Sequence, residues 1–107
     1  MNNIRFLRKA SQELDEAVEW YNQQSSGLGI KFLDEVDKGL RRISIYPYSC
    51  VEIEDNIRRC LVSRFPYGLI YGMDEGMIVI IAVAHLHRRP RYWSRRIGLG
   101  KSDIENS

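Results

Sequence analysis

An α+β fold is predicted by this sequence: an N-terminal strand and a two-helix hairpin packed on a mainly antiparallel sheet of three or four strands, closed by a short C-terminal helix. Three observations carry that prediction. Apolar residues recur every three to four positions through the first half of the chain, with a single Ser25-Ser26-Gly27 break. After Ser49 the period changes to alternation. The run Met77 to Ala84 (MIVIIAVA) is apolar at every position, as expected of a strand in the middle of a sheet covered at least in part on both faces. A chain of 107 residues is one domain, and it can bury a modest core without metals or crosslinks.

Taken in order, Ile4 to Leu7 reads as a short first strand. Ser11 is placed to cap the first helix, with Glu13, Asp15 and Glu16 in the first turn, where the helix dipole favours negative charge. Leu14, Ala17, Val18 and Tyr21 then give the spacing of a one-faced helix. The second helix is expected over residues 28–46, burying Phe32, Leu33, Val36, Leu40 and Ile43 and ended by Pro47. Gly39 within it costs about 1 kcal/mol against alanine, which suggests a close approach to the first helix.

Cys50 to Glu54 alternates weakly, and Asp55-Asn56 reads as a turn. Ile57 to Phe65 (IRRCLVSRF) is expected to be a strand with Arg59, Leu61 and Ser63 on one face and Arg58, Cys60, Val62 and Arg64 on the other. Pro66-Tyr67-Gly68 follows as a turn or bulge, then a strand over Leu69 to Met73. Asp74-Glu75-Gly76 is a hairpin connection into the apolar strand. A short helix is expected around Tyr92 to Ile97. Residues 1–97 form the domain, and 98–107 read as a polar, flexible tail.

Composition excludes several classes of function. Hydrophobic residues make up 44% and charged residues 28%, which is globular rather than disordered. No apolar run is long enough to span a membrane. The first residues lack signal-peptide architecture, so a cytoplasmic protein is expected. Cys50 and Cys60 have no CxxC spacing and read as reduced, structural thiols, with a redox or bridging role as the alternative. His85-x-His87 lacks further ligands nearby, so neither metal nor cofactor is expected. Gly27-x-Gly29 lacks a third glycine and a preceding strand, and no serine has the setting of a hydrolase nucleophile.

The net charge of +2 conceals an asymmetry. Residues 1–55 hold seven basic and ten acidic side chains, whereas residues 56–101 hold nine basic and two acidic. Arg58, Arg59, Arg64, Arg88, Arg89, Arg91, Arg95 and Arg96 are interleaved with Phe65, Tyr67, Tyr92 and Trp93. Each arginine alone is an ordinary solvated residue; as a cluster opposite an acidic helix pair they point to a polyanionic or acidic partner. Metal-free RNA cleavage would need a base, an acid and cations. His85 or His87, Tyr92, and Arg59, Arg64 and Arg88 could supply them if they converge.

The ordered series of motifs resembles the RelE/ParE toxin superfamily over residues 4–97. Ala17-Val18-Glu19-Trp20-Tyr21 followed by Leu28-Gly29-x-x-Phe32-Leu33-x-Glu35-Val36 is similar to its helical hairpin. Ile57-Arg58-Arg59, Arg64-Phe65-Pro66-Tyr67-Gly68-Leu69-Ile70-Tyr71 and Ala82-Val83-x-His85 are similar to its strands, and Arg88-x-Pro90-x-Tyr92-Trp93-x-x-Arg96 to its ending. The resemblance implies a bacterial toxin, of the plasmid-stabilisation type, bound in a hetero-oligomer by a ParD-like antitoxin. RelE-like members cleave mRNA on the ribosome through a Lys/Arg cluster and a C-terminal Tyr; ParE-like members poison DNA gyrase. Here Arg59 stands where RelE-like enzymes carry one sheet lysine, Leu61 where they carry the next, and Gly68 in place of an arginine. The Phe65-Pro66-Tyr67-Gly68 turn and Tyr92-Trp93 are closer to ParE. The expected function is therefore gyrase poisoning, with Arg58, Arg59, Arg64, Arg88, Arg89, Tyr92, Trp93 and Arg96 as the residues that bind the target or the antitoxin. The alternatives are a ribosome-dependent interferase using Arg59, Arg64, His85, Arg88 and Tyr92, or an inert relic that only binds antitoxin.

Overall fold

The computed structural model describes residues 2–97. In chain order it comprises β1 (Asn3–Phe6), α1 (Arg8–Gln24), α2 (Leu28–Ile45), β2 (Val51–Glu54), β3 (Ile57–Leu61), β4 (Tyr67–Asp74) and β5 (Met77–His85), then a single 3-10 turn over Ser94–Arg96. All five strands form one sheet in the order β1-β5-β4-β3-β2, parallel between β1 and β5 and antiparallel elsewhere. The sheet thus has one strand more than a count of three or four allows. The tail expected over 98–107 lies outside the described residues.

The apolar run forms the longest strand. Residues Ile78 to Ala84 of β5 are all buried, and the strand has a neighbour on each side and α1 packed across it. Asp74 pairs with Met77 across a two-residue turn, Glu75-Gly76, in which both residues have positive φ, 50° and 79°. That is the backbone twist a tight hairpin requires. A bulge at Ile81 shifts the pairing from Tyr71–Ile80 to Ile70–Ala82. On one face Leu69, Tyr71 and Ile80 join Phe32, Val36 and Ile43 of α2 and Ala10, Ala17 and Tyr21 of α1 in the core. The chain after β5 returns over the other face. There Leu86 lies beside Gly68, and Trp93 is 4% exposed.

Several expectations need correction. Ser11 is not a cap, and Glu13, Asp15 and Glu16 are not in a first turn, because β1 runs straight into α1 through Leu7. Parallel pairing with β5 pulls that junction inward: Leu7 is 1% exposed and its N–H donates to Ile80 O at 3.0 Å. Gly39 approaches the sheet rather than the first helix, since a Cβ there would meet Leu69 Cδ1 at 3.1 Å. The close helix–helix contact falls at Gly29, where a Cβ would collide with Val18 O and Asn22. Leu33 is 43% exposed, because α2 turns Gly29, Phe32, Val36 and Ile43 inward instead. The third strand stops at Leu61, with Arg64 in a left-handed conformation (φ 71°), and Tyr67 and Gly68 belong to β4 rather than to a turn. The short C-terminal helix is reduced to its 3-10 turn.

Candidate functional site

β1 is four residues long and β5 nine, so the outer edge of β5 beyond Ile80 has no strand beside it. A bare edge presents unpaired N–H and C=O groups that must find partners. Side chains supply them. Glu13 Oε1 accepts from Val83 N at 3.1 Å, and Arg96 Nη1 donates to Ile81 O, in the bulge, at 3.1 Å. The two side chains also grip each other: Arg96 Nη1 donates to Glu13 Oε1 at 2.8 Å and Nη2 to Oε2 at 3.1 Å. The Tyr92 hydroxyl donates to Glu13 Oε2 at 2.7 Å. One carboxylate therefore accepts four hydrogen bonds, with Glu13 and Arg96 only 16% and 15% exposed. Burial, then the bond to Glu13, raises the Tyr92 pKa well above that of an ordinary phenol.

This clamp fixes the C-terminal segment against the sheet, and a second one assists it. Arg91 donates to Glu54 at 2.6 and 3.1 Å, and the bond lowers the pKa of the Glu54 carboxyl. Above the Glu13 clamp a groove of about 470 Å³ opens between α1 and the end of β5, lined by Glu16, Trp20, Tyr21, Tyr67, His85 and Arg88 among others. Trp20 is 54% exposed at its rim. Arg88 is exposed, with its guanidinium carbon 4.0 Å from the centre of the Tyr92 ring. The Arg88 N–H donates to His85 O, and His85 Nδ1 accepts from the His87 N–H.

The structure gathers part of the expected site and scatters the rest. His85, Arg88, Tyr92 and Arg96 meet at the groove and clamp. Arg89 is exposed next to Arg88, and Trp93 is buried. Arg58 is spent on the backbone, donating to Cys50 O at 2.8 Å and Tyr48 O at 3.2 Å. Arg59 lies on the opposite face of β3, its stem laid over Gly68 and its Nε buried without a partner among the described residues. Arg64 is exposed in the β3–β4 turn, near Leu28 and Lys31 of α2. The interferase set of Arg59, Arg64, His85, Arg88 and Tyr92 thus does not come together at one point. Arg88, Arg89 and Arg95 have no carboxylate partner among the described residues.

Glu13 is the residue that sequence reasoning misread. Its signal was present: it lies three after Ala10 and four before Ala17, so a carboxylate falls on the buried stripe of an amphipathic helix. Among the described residues no group of three metal-ligating side chains occurs, and no helix is long and apolar enough to cross a membrane.

Comparison with known proteins agrees with this architecture. A family model described as the ParE toxin of type II toxin-antitoxin systems, parDE, matches residues 4–90. A solved chain from "Chromosomal ParDE TA system from P. aeruginosa" superposes with a TM-score of 0.71 at 14% identity, covering 81% of this chain and 98% of that one. At that identity the likeness is one of fold. No curated protein matches in sequence.

Proposed function

Since the chain belongs to the ParE toxin family of type II toxin–antitoxin systems, we propose that it arrests growth by poisoning DNA gyrase and is neutralised by a cognate, ParD-like antitoxin in a hetero-oligomer. The activity resides in the single domain of residues 1–97. Arg88 and Arg89 make the outward contacts, with Arg95 beside them. Arg96, Tyr92 and Trp93 act by holding that segment in place. The observation that carries this reading is the exposed guanidiniums of Arg88, Arg89 and Arg95 after β5, which no carboxylate among the described residues neutralises. Such a surface suits an acidic or polyanionic macromolecule.

A binding role is further supported by the state of the groups that acid–base chemistry would use. Tyr92, the candidate acid, already donates its hydroxyl in a hydrogen bond to a carboxylate within a structural clamp. A general acid needs a pKa near the working pH, and this phenol is shifted away from it. The test is purified gyrase with supercoiled plasmid: adding the toxin should accumulate linear DNA, and adding antitoxin should prevent it. Intact plasmid together with ribosome-dependent cuts in mRNA would overturn the gyrase reading in favour of an interferase.

A further inference from the structure

Cys50 immediately precedes β2, and continuing the Val51–Arg59 register by one step sets it opposite Cys60 on β3. Both thiols are free and only 7% and 1% exposed, and Cys50 is near enough to help raise the Cys60 pKa. Directly opposed residues of an antiparallel pair have Cα atoms about 4.5 to 5.5 Å apart. A disulfide spans Cα separations of roughly 4.4 to 6.8 Å. Continued by one step, the register thus brings the two Cα atoms into the range that a disulfide spans. Around them lie the Tyr71 hydroxyl, which donates to Pro47 O at 2.8 Å and contacts Cys50, and Arg42, whose Nη1 is 4.0 Å from Cys60 Sγ. Arg58 holds Cys50 from the other side through its carbonyl, at 2.8 Å.

We propose that Cys50 and Cys60 form a thiol–disulfide pair that closes in place on reaction with a low-molecular-weight disulfide, stapling the outer strand of the sheet to its neighbour. Cys50 reacts first. It is the more exposed of the two and immediately precedes a four-residue edge strand, the part of a sheet that opens most readily. Its thiolate attacks one sulfur of the small disulfide, forming a mixed disulfide and releasing one thiol, which takes up the proton Cys50 lost. Cys60 then loses its proton and attacks the Cys50 sulfur, and the second small thiol leaves with that proton. The protein is oxidised by two electrons and the small disulfide is reduced to two thiols. Burial pushes the Cys60 thiol up to about 12, which keeps it protonated and disfavours it as the first attacking thiolate. None of these residues belongs to the Glu13 clamp or the groove, so the inference stands apart from the choice of target.

The test is to incubate the whole protein with oxidised glutathione and then measure its intact mass and map its peptides. The expected product is a monomer lighter by two hydrogens, with Cys50 and Cys60 in one linked peptide, that melts roughly 5 °C or more above the reduced form. Cys50→Ser and Cys60→Ser should each abolish the mass change. If either variant folds poorly, the linked peptide from the natural protein decides alone. A protein that keeps its reduced mass, stops at the glutathione adduct or forms only intermolecular dimers would overturn the proposal.

Discussion

Arg96 and Arg88 lie eight positions apart on one short segment, yet they face opposite tasks. Arg96 is turned inward, shares the Glu13 carboxylate with Tyr92 and Val83 and caps the bare edge of β5. Arg88 is turned outward, lies over the Tyr92 ring and has no carboxylate partner among the described residues. A run of arginines in a sequence counts charges and says nothing of which are already neutralised. The pairing partner separates a structural cation from one available to another molecule, and here that partner, Glu13, lies some 80 residues earlier in the chain.

Removing the inward partner should have the largest effect. Glu13→Ala leaves a mostly buried guanidinium without its counter-charge and a phenol and a strand N–H without an acceptor, which costs about 3 to 5 kcal/mol. The midpoint of urea unfolding should fall accordingly, and a loss under roughly 1 kcal/mol would mean that the clamp is ornamental. Tyr92→Phe removes one of the four bonds and keeps the ring beneath Arg88, for a loss of about 1 kcal/mol. It should also alter the alkaline limb. The folded phenol has a raised pKa, so its share of stability is complete below the unfolded value near 10 and fades as pH rises through the folded one. Stability of the natural protein should therefore decline above about pH 10, and the Phe variant should decline less steeply.

Arg91→Ala sharpens the comparison from the exposed side. The Glu54–Arg91 pair has good geometry but sits in solvent, with Arg91 63% exposed. Exposed pairs contribute little, so the melting temperature should fall by no more than roughly 2 °C. Even that difference should vanish in acid. The folded pKa of Glu54 is depressed, so its contribution holds above the unfolded value and is lost as pH falls through the folded one. A difference that persists at pH 2 would show that Arg91 acts by some other route.

How much of this was legible in the sequence depended on how local its cause was. The apolar run of β5, the Glu75-Gly76 turn and the inward faces of both helices follow from periodicity and turn chemistry confined to a few residues. Ser11 misled because the first strand is recruited by β5, more than 70 residues away, and leaves no room for a capping turn. Gly39 and Gly29 look alike in sequence; only packing shows that one faces the sheet and the other the partner helix. The candidate site was half visible for the same reason. Its cations were conspicuous, whereas the carboxylates that divide them, Glu13 and Glu54, lie on other elements.

The central distinction is tested most directly by one paired measurement on Arg88→Ala combined with Arg89→Ala: growth arrest on induction, read beside the thermal unfolding of the purified protein. Both side chains are exposed and, among the described residues, without carboxylate partners, so stability should change by less than about 0.5 kcal/mol while toxicity falls tenfold or more. Arrest that survives both substitutions, or that fails only in step with unfolding, would contradict the account.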